Sequence, residues 1–195
     1  METRTLSLDE FKVLRAVVFA GALTDLDELW GLDADRAQPL VERLAAEGLI
    51  EADELTIPTI DGVGALEDWY AGERASLAAE QRRALHERFR PLDVEIKRIA
   101  ATWQDCETRD DWEGRTAAVE DLQALDVRLA ALVGDYSDTL ARLGEYRERL
   151  GTALERVADG DLDYVVGVSC DSYHTVWFQL HEDVLRILDE ERDPE

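Results

Sequence analysis

Apolar positions recur at helical spacing along most of the chain, with one short alternating stretch near residue 50. Ser7-Leu8-Asp9-Glu10 has the form of a capping box, a hydroxyl and a carboxylate that satisfy each other's amides at a helix start. Phe11, Leu14, Val17 and Val18 then mark one helix face, and Gly21 supplies a stop. Thr24 is placed to cap a short second helix through Leu26, Leu29 and Trp30. Asp33 is placed to cap a third, which carries Leu40, Val41 and Leu44 and ends at Gly48. Pro39 either lies inside this helix or marks a later start near Ala37 or Gln38, where proline is better tolerated. Leu49-Ile50-Glu51 and Leu55-Thr56-Ile57 alternate as two short strands around the polar turn Ala52-Asp53-Glu54.

Three short helices followed by a hairpin is the order of a winged helix-turn-helix, here over residues 1–70. Past residue 70 the pattern is helical throughout. Leu66, Trp69, Tyr70 and Leu77 lead a helix out of the wing. Leu85, Phe89, Leu92, Ile96, Ile99 and Trp103 mark a long stretch, kinked or broken at Arg90-Pro91. Asp105 to Glu113 reads as a polar loop, and Val119, Leu122, Leu125, Leu129 and Leu132 form the next stripe up to Gly134. Ser137 is placed to cap a further helix carrying Tyr146, Leu150, Leu154 and Val157, which Asp159-Gly160-Asp161 ends. Residues 162–170 read as a loop or an extended segment. The predicted architecture is mostly α, with a winged helix at 1–70 and an antiparallel helical bundle over 71–195.

Charge changes this picture. Residues 1–70 hold five Lys or Arg (Arg4, Lys12, Arg15, Arg36, Arg43) against 16 Asp or Glu, a balance of −11. Where a winged helix would offer base to phosphate, the turn offers Glu51, Asp53, Glu54 and Asp61. Affinity for DNA comes largely from neutralised phosphates, so the pattern argues against DNA as the partner. Arg36, Gln38 and Arg43 are the positions a DNA-binding alternative would use. A net charge of −24 over the chain argues equally against anionic membranes, and no apolar run approaches a membrane span or a signal peptide. Cys106 and Cys170 have no metal-site spacing and read as free thiols of a cytoplasmic protein.

Two segments carry candidate chemistry. Between residues 82 and 98, Arg82, Arg83, Arg88, Arg90, Lys97 and Arg98 face only Glu87, Asp93 and Glu95, a local balance of +3. This run is either a docking patch for an acidic surface or phosphorylated ligand, or ordinary pairing along a helix, as for Arg83 and Glu87. In the second segment, Asp171, His174, Phe178, His181, Leu185 and Leu188 fall on one helix face, with Tyr173 and Trp177 beside it. The imidazoles, seven residues and about 10.5 Å apart along the axis, cannot share one metal ion. Asp171 and His174 are spaced for a carboxylate–imidazole pair of the kind general-base sites require. Tyr173, His174, Trp177, Phe178 and His181 would line a small-molecule or partner site. The competing reading is that the histidines are hydrogen-bonded core struts that fix helix register. No P-loop, dinucleotide glycine fingerprint or His-Glu-x-x-His motif is present, so neither cofactor nor metal is expected.

Ala37-Gln38-Pro39-Leu40-Val41-Glu42-Arg43-Leu44-Ala45-Ala46-Glu47-Gly48-Leu49-Ile50 resembles the recognition helix and wing entry of the MarR-like winged-helix family. Leu85-His86-Glu87-Arg88-Phe89-Arg90-Pro91-Leu92, Thr102-Trp103-Gln104-Asp105 and the block from Asp171 to Glu182 extend the likeness. They resemble MarR-like proteins with a helical tail, found attached to or encoded beside pyruvate phosphate dikinase-like (phosphoenolpyruvate-utilising) phosphotransferases. That resemblance implies a non-catalytic accessory subunit that binds protein. The alternative is a ligand-responsive DNA-binding regulator, and an enzyme built on Asp171 and His174 comes third. Trp69, Trp103, Trp112 and Trp177, spread along a chain rich in apolar helix faces, further suggest a helix-mediated interface, with a second copy or with a partner protein.

Overall fold

Ser7 opens the first helix as its sequence predicts. In the computed structural model, which describes residues 5–21 and 34–190, the Ser7 Oγ accepts from the Glu10 amide at 3.3 Å. The Glu10 carboxylate in turn accepts from the Ser7 amide at 2.8 Å. Helix α1 (Leu8–Ala20) ends at Gly21, which adopts φ +73° and donates to the Val17 carbonyl. The predicted helix through Leu26, Leu29 and Trp30, and the cap at Asp33, lie outside the described residues. Among the described residues the chain is mostly helical, with eight helices and one small two-stranded antiparallel sheet. No helix among them is long and apolar enough to cross a membrane.

The chain divides into two compact units, Met1–Gly72 and Glu73–Glu195. In the first, α1 packs on α2 (Ala34–Ala46), which buries Ala37, Leu40, Val41 and Leu44. Pro39 lies inside α2, in its second turn, so the later start does not occur, and the helix lacks the bond that an amide there would make to the Asp35 carbonyl. Strand β1 (Ile50–Ala52) pairs with β2 (Thr56–Pro58) in the register Ile50↔Pro58, Glu51↔Ile57, Ala52↔Thr56. The second strand therefore starts one residue later than the alternation suggests, and Leu55 stands in the turn.

Thr59 ties the hairpin to helix α3 (Ile60–Ser76): its Oγ1 donates to the Gly48 carbonyl at 2.7 Å and accepts from the Gly62 amide at 3.0 Å. Gly62 has a strict steric role, because a Cβ there would run into the Leu49 carbonyl. The core of this unit is aromatic. Phe11 stacks on Trp69 with centroids 4.7 Å apart and meets Tyr70 edge-on at 5.6 Å.

In the second unit, α4 (Ala79–Arg109) runs unbroken through Pro91. Its buried stripe of Leu85, Phe89, Leu92, Ile96, Ile99, Trp103 and Cys106 spans the proline on both sides, and Pro91 itself faces solvent. Packing along that whole stripe outweighs one missing hydrogen bond. The predicted loop from Asp105 to Glu113 shrinks to Asp110 and Asp111, since burial of Cys106 keeps the end of α4 helical. Asp111 then caps α5 (Trp112–Asp135), accepting from the Gly114 amide at 2.9 Å.

The two helices form an antiparallel hairpin. Its ion pairs step in opposite directions along the chain: Arg98–Asp121 at 2.8 Å, Glu95–Arg128 at 2.6 Å and Arg88–Asp135 at 2.6 Å. The Ser137 hydroxyl does not cap the next helix; it donates to the Gly134 carbonyl and closes α5. Helix α6 (Leu143–Ala158) follows, and residues 162–170 contain a helical turn, α7 (Asp163–Val166), with no extended strand. Helix α8 (Tyr173–Leu188) starts at Ser172, whose Oγ accepts from the Thr175 amide at 3.2 Å. Helix α5 packs on α4 and α6, and α8 packs on α4 and α6.

Candidate functional site

The three positions open to DNA all have bonds within the first unit. An Arg36 guanidinium N–H donates to Asp9 Oδ2 at 3.1 Å, and Arg43 Nη1 lies 3.2 Å from Glu10 Oε1. Gln38 Nε2 donates to Glu42 Oε1 at 3.0 Å. Both arginines of α2 are thus turned to carboxylates of α1. Glu51, Asp53, Glu54 and Asp61 are all exposed, and residues 47–68 contain seven Asp or Glu with no Lys or Arg. A cation bound to its own chain must break that pair before it reaches a phosphate, and a carboxylate at the same face adds repulsion.

The basic run of α4 is dispersed in the same way. Arg82 Nη1 donates to the carbonyls of Arg74 and Leu77, at 3.0 and 2.8 Å, at the C-terminal end of α3, where a cation is favoured. Arg88 and Arg98 join α4 to α5 through Asp135 and Asp121. Arg83 reaches Glu87 at 3.9 Å, and Lys97 reaches Asp93 at 3.1 Å. Arg90 alone of this run has no ion pair or hydrogen bond among the described residues. The run mainly fastens helices together and forms no continuous patch.

Helix α8 divides its predicted site residues. Tyr173, Trp177 and His181 are buried, whereas His174 is half-buried, Phe178 is 41% exposed and Asp171 is exposed. The buried face is Tyr173, Val176, Trp177, Leu180, Val184 and Ile187, a stripe rotated away from the Asp171–His174–Phe178 edge. Asp171 is gripped by Arg149, with two N–H···O bonds of 2.9 and 2.8 Å, and Arg149 also donates to Gln179 Oε1 at 2.8 Å.

The Tyr173 hydroxyl donates to Asp126 Oδ1 at 3.1 Å, a carboxylate that also takes Arg147 Nη1 at 2.5 Å. Burial first, and then the Asp126 charge, hold that phenol far above its ordinary pKa. Trp177 Nε1 donates to Asp93 Oδ1 at 3.2 Å, and His181 Nε2 lies 3.7 Å from Asp93 Oδ2. The Phe89 ring stacks on both Trp177, at 5.4 Å, and His181, at 6.0 Å. Of the two candidate segments, Arg90, Lys97 and His181 come together, at a cleft between α4 and α8.

A second group was not legible in the sequence. Arg142, 5% exposed, donates through Nε and Nη2 to the two oxygens of Glu73 at 2.6 and 2.7 Å, and through Nη1 to Asp183. Asp183 is fully buried and also accepts from the Tyr146 hydroxyl at 2.5 Å. Burial opposes the Arg142 charge, but Asp183 and Glu73 outweigh it and hold the guanidinium well above its ordinary pKa. The group joins the end of α3 to α6 and α8 and leaves its charges no open face, which marks it as structural. The only sequence signal was an acid in the middle of the α8 apolar stripe, and nothing local points to its partners. Comparison with protein-family models, with curated proteins and with solved structures finds no match for this chain.

Proposed function

We propose that this chain is a non-catalytic protein-interaction module, an accessory subunit whose N-terminal unit has the winged-helix arrangement but an acidic surface unsuited to DNA. The order of α1, α2, the β1–β2 hairpin and α3 supports the arrangement. The observation that carries the function is the engagement of Arg36 and Arg43 by Asp9 and Glu10, beside a wing turn made of carboxylates. The carboxylate of the Asp171 and His174 pair, on which an enzyme would be built, further supports a non-enzymatic role: Asp171 is held by Arg149 through two hydrogen bonds. The resemblance of the helical tail makes a phosphoenolpyruvate-utilising phosphotransferase the first partner to test, by co-elution with the full chain.

DNA binding gives the decisive measurement. Fluorescence anisotropy with a pool of duplex fragments should show no saturable isotherm up to about 10 µM protein at physiological salt, since non-specific affinity rests on phosphate neutralisation. A sub-micromolar, salt-sensitive isotherm would make the chain a ligand-responsive regulator instead. Changing Glu51, Asp53 and Glu54 together to lysine tests the winged geometry itself. That variant should gain DNA affinity, with a log–log salt slope steeper by about 0.9 for each phosphate reached. If it gains none, the hairpin does not lie where a wing lies.

A further inference from the structure

Five of the six basic side chains between residues 82 and 98 are engaged within the chain, and Arg90 is the exception among the described residues. In a chain with 45 acidic and 21 basic residues, an arginine without a carboxylate is unexpected. Arg90 also lines the cleft of about 210 Å³ between α4 and α8. We propose that this cleft binds a small amphiphilic oxyanion, a molecule with one carboxylate or phosphate and a short apolar body.

The lining suits that chemistry on both counts. Phe89, Val184, Leu185 and Leu188 give it an apolar wall, and Phe89 stacks on both Trp177 and His181. The polar side offers the Arg90 guanidinium, with the imidazoles of His86 and His181 nearby. Two carboxylates also border the space. Asp93 is compensated by Lys97 at 3.1 Å and by the Trp177 N–H, and Glu190 lies 3.5 Å from the His86 Nε2. Glu190 has only an imidazole as partner, so the lining holds two cations and two carboxylates, and Arg90 is its cation without an ion pair among the described residues. The net charge of −24 acts weakly here, since the Debye length of about 8 Å at physiological salt screens distant carboxylates. The volume is below the roughly 300–1,000 Å³ of pockets for drug-sized ligands, so the ligand is small. Arginine is suited to the task because its planar fork matches a carboxylate or phosphate with two parallel hydrogen bonds.

The test titrates phenylacetate, phenyl phosphate, neutral phenylacetamide and inorganic phosphate into the isotopically labelled full chain, followed by amide and arginine side-chain NMR. At least one of the two aromatic anions should saturate below about 10 mM, with shifts at Phe89, Arg90 and Leu185. The better anion of the two assigns the ligand as a carboxylate or a phosphate. The amide should bind about tenfold or more weakly, since it cannot make the charged hydrogen bonds. Arg90→Gln should lose a similar factor with an unchanged melting temperature, because the side chain is exposed. Leu188→Glu, which adds a carboxylate to the apolar wall, should abolish binding. The proposal is overturned if neither anion saturates, if the amide binds as well as the acid, if Arg90→Gln binds like the parent, or if inorganic phosphate binds as tightly as phenyl phosphate. All these residues belong to the second unit, so the outcome is independent of the DNA measurements on the first.

Discussion

Arg142→Leu should destabilise the C-terminal unit by about 3–5 kcal/mol, the range for removing one partner of a buried ion pair. The replacement leaves Asp183, fully buried, with only the Tyr146 hydroxyl among its bonds described above, and leaves the two oxygens of Glu73 without their donors. A buried carboxylate without its cation must protonate or unfold its surroundings, and either route costs stability. Urea denaturation followed by tryptophan fluorescence reads this directly, because Trp103 and Trp177 are both buried in this unit. Replacing both charges, as Arg142→Leu with Asp183→Leu, should recover part of the loss, since apolar residues of similar volume need no compensation. A single variant that stays within about 1 kcal/mol of the parent would show that the group is solvated in a way its burial does not suggest.

Gly62→Ala should destabilise the N-terminal unit by about 2 kcal/mol, against the helix propensity that favours alanine by up to about 1 kcal/mol. The added methyl would meet the Leu49 carbonyl and lie 3.2 Å from Leu14 Cδ1. That carbonyl cannot easily step aside, because it accepts from the Thr59 amide at 3.2 Å, and Thr59 is itself bonded to Gly48 and Gly62. Gly64 supplies the control on the same helix. Nothing lies within 4 Å of a Cβ built there, so Gly64→Ala should stabilise by about 0.5–1 kcal/mol. Calorimetry of the two variants separates packing from propensity by sign. If both alanines raise the melting temperature, the approach of α3 to Leu49 is looser than the structure has it.

Much of the local structure was legible because its causes are local. The Ser7 and Glu10 box, the stop at Gly21 and the hairpin near residue 50 each depend on groups within a few positions of one another. The α4 stripe was equally clear, but Pro91 obscured its continuity, since a rule about one hydrogen bond was set against packing along a whole helix. The same limit applied at Cys106, where a polar stretch hid a buried turn. Gly62 gives no sign in the sequence that another backbone approaches it.

The candidate site was only half legible. On α8, apolar and aromatic residues cover such a wide arc that two stripes were available, one through His174 and Phe178, the other through Tyr173, Val176 and Leu180. Periodicity alone cannot choose between them. The choice falls to contacts with α4 and α6, which bury Trp177 and His181 and leave Phe178 partly exposed.

The sequence by itself determined the helical class, the hairpin, some of the helix ends and the acidic character of the first seventy residues, because capping, periodicity and net charge are properties of neighbouring positions. Tertiary structure alone decided which charges are spoken for. Arg142 finds Glu73 and Asp183 across 69 and 41 positions, and Arg36 finds Asp9 across 27. It also left Arg90 without an ion pair among the described residues, beside the α4–α8 cleft. An ion pair depends on the separation of two charges in space, and that separation is set by how the helices pack, which the order of residues along the chain does not state.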